Sequence, residues 1–527
     1  DEAVAQFKAD DPAASAPALL AIRAKLAALP PDPVVTDKRA QLDRILQACL
    51  GLSVETTVPN AEAVPGEMLK LRHTAAVKSS VPVRWTGVNA GGTSASYREA
   101  LAPGQPASHD AANLLAPQTP VSQPYWLREE GTAGMFRVDE TKLIGSPENP
   151  PVFPVEYVFE VGGQTFVVRT EPVQLVAGAS EAQAKRKLVA IPPVALSFPL
   201  EVALFAPGAT KSVVLEVKAA RAGTSGAVRL EAPVGWKISP ANRSFDLRQV
   251  GAMAQVTFDV TAPPQAATGQ FTAVAAVGKN SYTNGRFAIN YPHLPVQLLL
   301  PPTRLKVAAF DLKTRGQKVG YLPGAGDSTA ENLTEMGYQV TTLSGLDLTP
   351  EKLQGLDAVV IGVRAFNERK DLEANLPALF AWVEAGGTVI AQYNRPANNL
   401  AKNLGPYPLS IAGNAPDLRV TDENAPVIFL AADHPALNLP NKISPADFNG
   451  WVQERGAYFP STWDEHYTPI LAMSDPGEKQ PDSSLLVAKH GKGYYVYTGL
   501  AFFRQLPAGV PGAYRLFANL VSLGKEQ

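Results

Sequence analysis

The sequence predicts a multidomain β and α/β protein: short N-terminal helices, two Ig-like β-sandwiches and a C-terminal doubly wound α/β domain. Three observations predict it. Between residues 53 and 300, short apolar runs alternate with Gly, Pro and Asn, at a spacing of roughly 8 to 15 residues per strand. From residue 318 onward, strand-length apolar runs alternate with helical periodicity. Pro (47) and Gly (41) are abundant among 527 residues, which fits many turns and short strands rather than a helical bundle.

Length and composition set the outer bounds. At roughly 150 residues per domain the chain holds about three or four. A net charge of −2 and a pI near 6.4 give no bulk attraction to nucleic acid or anionic membrane. No apolar run approaches the ~20 residues of a membrane span. The single cysteine, Cys49, excludes an internal disulfide framework and a cysteine-ligated structural zinc site. The chain begins DEAVAQF, without an initiator Met or signal peptide, so it reads as a mature form or a fragment.

Residues 1–52 read as helical. Leu19, Ile22, Leu26 and Leu29 share one face of Ala18–Leu29, and Leu42, Ile45, Leu46 and Leu50 share one face of Asp37–Leu50. Pro30-Pro31-Asp32-Pro33 separates them. Residues 53–180 form the first predicted sandwich. Its strands are Leu69–Val77, Val81–Val88, Phe136–Val138, Val155–Val161 and Gln164–Thr170, the last two joined by a Gly162-Gly163 hairpin. A long polar loop, Ala102–Gln123, lies between them, and Tyr125-Trp126-Leu127 reads as a strand start. After the charged connector Ser180–Lys187, residues 181–300 form the second sandwich. Its strands are Val213–Ala219, Ala227–Ala232, Trp236–Ser239, Ala254–Thr261 and Phe271–Val277.

Pro292–Pro302 reads as a linker to the third unit, residues 301–527. There Lys318–Leu322, helix Thr329–Met336, Tyr338–Leu343, Asp357–Gly362, helix Leu372–Ala385 and Thr388–Ala391 make a βαβαβ run of flavodoxin-like or amidotransferase-like type. Val427–Leu430, Pro469–Ser474, Ser484–His490 and Gly493–Gly499 follow as strands, and Tyr514–Leu523 as a closing helix.

Ligands of such sheets collect at the carboxyl ends of the strands. Two polar loops lie there, Arg364–Glu368 and Gln392–Arg395, and they supply Arg364, Asn367, Gln392, Tyr393 and Asn394 as ligand-binding candidates. A second polar-aromatic cluster supplies Asp447, Asn449, Trp451, Arg455 and Tyr458, the residue types of a sugar site and equally of a packed core with an internal ion pair. The loop Gly324-Ala325-Gly326-Asp327-Ser328 reads as a tight turn, because Ala330-Glu331 replaces the third Gly of a dinucleotide fingerprint. A class I glutamine amidotransferase needs a cysteine at the turn occupied here by Ala391-Gln392-Tyr393-Asn394, so thioester chemistry is excluded. His73, His109, His293, His466 and His490 are scattered, with no HxxxH or HxxE spacing. The sequence therefore yields no metal and no catalytic residue.

Two resemblances follow from particular phrases. PVGWKISP and VTAPPQAATGQFTAVAAV resemble the NPCBM-associated NEW3 domain, an Ig-like module of carbohydrate-active enzymes. VVIGVRAFN, WVEAGGTVIAQYN, HPALN, DFNGWVQERGAYF and GKGYYVYTGLAFFRQLPAGVPGAYRLFANLVSL resemble the C-terminal part of large bacterial PIG-L (LmbE-like) deacetylases, and the same unit is similar to ThuA-like folds. That family's zinc site sits in an N-terminal domain with an AHPDDE-type motif, absent here. The resemblance therefore implies no cofactor in this chain, zinc only in a missing catalytic domain, and residues 1–52 as the tail of that domain. It implies an accessory region of an extracytoplasmic N-acetylsugar deacetylase, in the periplasm or secreted. Its partners would be a carbohydrate or glycoconjugate and its own catalytic domain or another envelope protein, with no nucleic acid and no membrane span. The alternatives are a ThuA-like sugar-active enzyme and a structural scaffold of the envelope.

Overall fold

A computed structural model describes residues 2–30, 32–132, 134–411 and 418–525. The protein is β-rich, with several separate sheets and few helices. Helices Ala16–Ala27 and Pro33–Leu50 form as the apolar spacing predicts; Pro31, within the break between them, lies outside the described residues. Asp32 caps the second helix by accepting from the Val34 amide at 2.8 Å. Leu19, Leu42, Leu46 and Leu50 of these helices join the core of the first β unit, and Gln164 Nε2 donates to the Leu20 carbonyl at 3.0 Å. Only part of the expected stripes is buried on that unit: Ile22, Leu29 and Ile45 stay exposed, and Leu29 lies beyond the end of the first helix.

The first β unit sets a five-stranded sheet against a four-stranded one. Val155–Val161 and Gln164–Thr170 pair as the predicted hairpin. Three expectations fail here. Ala107–Leu114, inside the predicted loop, is a strand paired with Met68–Ala76. Its small and polar residues carry no apolar alternation, because it lies at the edge of its sheet and is largely solvated. Phe136–Val138 forms no strand and Phe136 is exposed. Tyr125–Leu127 is a single 3-10 turn.

The second β unit has a four-stranded and a six-stranded sheet around Trp236, Phe258 and Phe271. Its chain does not stop at residue 300. Arg304–Ala309 inserts between Val202–Phe205 and Ala267–Val277, parallel to the former and antiparallel to the latter. Both inserted strand and parallel neighbour serve two cores. Ala203, Phe205, Val307 and Ala309 face the second unit; Val202, Leu204, Ala308 and Phe310 face the C-terminal unit. Alternation by two along a strand buried on both faces produces this division. The predicted linker likewise contains a strand, Gln297–Leu299, paired with Phe287–Ile289.

The C-terminal unit is built on an eight-stranded sheet. Gln339–Thr342, Lys318–Leu322, Ala358–Ile361, Thr388–Gln392 and Gly493–Thr498 lie side by side and run parallel. Leu485–His490, Tyr467–Met473 and Val427–Phe429 continue the sheet antiparallel. Taken in chain order, the parallel strands stand 2-1-3-4-5, so the order reverses between Lys318–Leu322 and Ala358–Ile361. Apolar cores cover both faces. Ala358, Val360, Leu333 and Leu516 belong to one, and Val359, Ile361, Leu379 and Val383 to the other. This is why the strands read as continuous apolar runs. The predicted helix Leu372–Ala385 is shorter, Leu376–Glu384 behind a 3-10 turn, with Pro377 in its first turn. Arg364–Glu368, expected as loop, closes into one helical turn, Ala365–Glu368.

Candidate functional site

Strands that end together place their following residues together. The loops after Ala358–Ile361 and Thr388–Gln392 meet at the carboxyl edge of the sheet and are laced by backbone bonds. The Arg364 amide donates to the Tyr393 carbonyl at 2.8 Å. Asn367 and Asn394 are the bolts of this lacing. Asn367 Nδ2 donates to the Arg395 carbonyl and its Oδ1 accepts from the Arg395 amide, both at 2.9 Å. Asn394, fully buried, accepts from the Phe366 amide at 3.0 Å and donates to the Gln392 carbonyl at 3.0 Å. Both amides are consumed by protein, so they position the site rather than line it.

The switch-point loop joins the same edge. Asp327 accepts from the Tyr321 hydroxyl (2.7 Å), the Thr329 amide (2.9 Å) and the Val363 amide (3.1 Å). A Cβ on Gly324 would lie 2.1 Å from the Val363 carbonyl oxygen, so this loop needs Gly for close approach. The loop, expected as a tight turn, forms no hydrogen-bonded turn of its own: the Ala325 amide donates to the Val363 carbonyl at 2.8 Å, and Asp327 bolts the loop to the end of the neighbouring strand.

What remains facing outward is aromatic and basic. Tyr393 lies between Tyr458, at 5.7 Å between ring centroids, and Phe503, at 5.2 Å. The Arg395 guanidinium sits over the Tyr458 ring at 5.9 Å. Arg364 pairs with Glu368 at 2.5 Å, and Arg504 pairs with Glu454 at 2.6 Å and with Gln453. Burial pushes the Tyr393 phenol up from its ordinary value, with the nearby Arg364 opposing it. Two buried polar atoms at this edge have no protein partner, Gln392 Oε1 and Arg364 Nε.

Backbone strain concentrates on the same spot. Among the described residues, three non-glycine residues have left-handed backbone: Arg364 (φ 58°), Gln453 (φ 67°) and Tyr458 (φ 53°). Each touches this cluster, Arg364 through the Tyr393 carbonyl, Tyr458 through its ring and Gln453 through Arg504. Such conformations persist where the surroundings over-determine them, and they gather at ligand sites.

The second predicted cluster divides. Tyr458 joins the site above. Arg455, Asp447 and Trp451 serve the fold. Arg455 is buried, its guanidinium donating to the Ala425 carbonyl at 2.9 and 3.1 Å and to the Phe448 carbonyl, between the rings of Phe448 and Trp451. Burial holds its pKa below the ordinary value. Asp447 pairs with Arg515 at 3.1 Å and caps its own turn through the Ser444 amide and hydroxyl. Trp451 is buried and donates to the Asp447 carbonyl at 3.1 Å, while Asn449 is exposed. Sequence reasoning missed Arg395, Gln453, Phe503 and Arg504 as site residues. Gln453 carries no sequence signal, since it contributes a backbone angle and one side-chain bond from Arg504, 51 residues away.

Groups of three or more His, Cys, Asp or Glu able to hold a metal ion are absent among the described residues. His73 is a core residue on Thr56 Oγ1 at 3.0 Å, its pKa pressed down to about 4 by burial and by His109. No helix among the described residues is long and apolar enough to cross a membrane.

Residues 205–278 match the family model described as the NPCBM-associated, NEW3 domain of alpha-galactosidase. The NEW3 resemblance read from the sequence thus holds over part of the second β unit. No curated protein matches the chain. Among solved structures, the chain is similar to native E. coli alpha-2-macroglobulin, with 14% identity, a TM-score of 0.17, and coverage of 50% of this chain and 17% of that one. A family 123 glycoside hydrolase from Clostridium perfringens matches with 7% identity, a TM-score of 0.15, and coverage of 38% and 48%. A Porphyromonas gingivalis W83 protein of unknown function matches with 11% identity, a TM-score of 0.14, and coverage of 49% and 99%. At these scores none of the three carries an argument about function.

Proposed function

We propose that this chain is a carbohydrate-binding accessory region that holds a glycan at the carboxyl edge of its C-terminal sheet. One observation carries the reading: the three left-handed non-glycine residues converge on one aromatic and basic cluster beside two unpartnered buried polar atoms. The half-buried rings of Tyr393 and Tyr458 offer apolar edges to sugar C–H groups, and Arg364, its side chain 30% exposed, offers N–H donors to hydroxyls. The NEW3 match supports a carbohydrate context.

The finer reading is that the region belongs to an extracytoplasmic PIG-L-type N-acetylsugar deacetylase, whose zinc and catalytic residues lie in a separate N-terminal domain. It rests on the order of units and on the phrases of the C-terminal unit. The 2-1-3-4-5 strand order supports a flavodoxin-like or amidotransferase-like fold for that unit.

The test is a glycan array followed by calorimetry on the intact chain. Tyr393→Ala and Arg364→Gln should each weaken the selected glycan at least about tenfold, roughly 1.4 kcal/mol, with the fold unchanged. An array without binders, or variants that bind as before, would overturn the reading in favour of a structural spacer. A second reading, a ThuA-like sugar-active enzyme, is favoured by the position of the site at the carboxyl ends of the parallel strands. That reading would use the cluster around Asp447, Arg455 and Tyr458, of which only Tyr458 stands free for chemistry, since Asp447 and Arg455 are held in internal bonds. Turnover of a sugar substrate abolished in Tyr458→Phe would select it.

A further inference from the structure

A second site lies far from the sheet edge, in the seam between the first two β units. A cavity of about 310 Å³ opens there, within the size range of ligand sites. One wall is the first unit, with Trp126 and the strand Lys185–Lys187; the opposite wall is the hairpin Phe287–Ile289 and Gln297–Leu299. The hairpin is pinned in place. Gln183 Nε2 donates to Asn290 Oδ1 (2.9 Å) and to the carbonyls of Tyr291 (2.9 Å) and Leu294 (3.1 Å), and Ser180 Oγ donates to the Pro292 carbonyl (2.5 Å). Pro124, Pro147 and Pro150 stiffen the opposite side. The crevice is therefore preorganised.

Its charges are unevenly satisfied. Lys185 pairs with Glu55 at 2.6 Å, Lys187 with Glu148 at 2.5 Å and Glu171 at 2.9 Å, and Arg286 grips Glu62 at 2.6 and 2.9 Å. Arg186 lines the same cavity, is half-buried, and has no carboxylate partner among the described residues; its Nε is buried with no hydrogen bond. A guanidinium cannot shed its charge, and its planar fork matches a carboxylate. Trp126 is half-buried on the same lining, and its indole N–H has no partner among the described residues. An unpaired fork and a half-buried indole on one cavity lining fit a ring that bears a carboxylate.

We infer that this crevice binds an acidic saccharide, a uronic-acid unit whose carboxylate sits on Arg186 and whose ring packs on Trp126. An acidic peptide is the weaker occupant. The strand it would extend, Lys185–Lys187, is only three residues long and wholly basic, a guarded edge rather than a docking edge. The site stands apart from the sheet-edge cluster and does not depend on it.

Calorimetry on the intact chain tests the inference with digalacturonate, neutral digalactose and a short Glu/Asp peptide as probes. Digalacturonate should bind, digalactose at least about tenfold more weakly, and Arg186→Gln and Trp126→Ala should each lose tenfold or more. Arg186→Lys, which keeps the charge without the fork, should fall between. A saturating neutral glycan chosen by the array should leave digalacturonate bound, which separates this site from the sheet edge. Absence of digalacturonate binding by natively folded chain, equal affinity for digalactose, an unchanged Arg186→Gln, displacement by the neutral glycan, or tighter binding of the peptide would each overturn it.

Discussion

Arg455 shows how a residue type can be read correctly and its role wrongly. From the sequence, an Arg among Trp, Tyr and Asp is as good a ligand group as a core group. In the structure all its donors point inward at backbone carbonyls, with two aromatic rings closing over them. Arg455→Ala would leave the buried Ala425 and Phe448 carbonyls without their donor, at a cost of about 1–3 kcal/mol for each orphaned acceptor. Urea denaturation followed by tryptophan fluorescence should show this as a large drop in midpoint. A stable Arg455→Ala that merely lost ligand would restore Arg455 to a binding site. Asn367 and Asn394 repeat the lesson. Their positions were legible, but their hydrogen bonds cross between loops 28 residues apart, and no local pattern encodes such a pairing.

Strands and helices were legible in proportion to their burial. Lys318–Leu322 and the hairpin Val155–Val161 with Gln164–Thr170 form over their predicted spans, because alternation or continuous apolar runs are written by the core that covers them. Ala107–Leu114 sits at an edge where nothing demands large apolar residues, and it reads as loop. The closing helix Pro511–Val521 was found, but its tightest contact was not. A Cβ on Gly512 would stand 1.9 Å from the Asp447 carbonyl oxygen, on the turn that carries Trp451 and Arg455 toward the core. Gly512→Ala must push helix and turn apart, and we expect a loss of about 3 kcal/mol or more. Thermal unfolding by circular dichroism measures it; a variant within 1 kcal/mol of the parent, judged at the roughly 0.5 kcal/mol scale of neutral surface changes, would mean that the contact yields easily.

Across the whole molecule, the unit boundaries were the least legible feature. Pro292–Pro302 looked like a linker because prolines and a change of periodicity meet there. Proline marks strand ends as well as linkers, and beyond it Arg304–Ala309 returns to the second unit before the chain enters the third. Alternate side chains of that strand and of Val202–Phe205 then belong to different cores, so the two units hold one another through a common wall rather than through a tether. Cutting the chain at residue 300 would turn this wall into a donor and an acceptor. The C-terminal piece would carry a six-residue β-strand with no sheet to enter, and the N-terminal piece would keep an empty slot between Val202–Phe205 and Ala267–Val277. Each alone should self-associate through its unpaired edge, and the two mixed should recombine by strand complementation into a species of the parent's mass, visible by size-exclusion chromatography with light scattering.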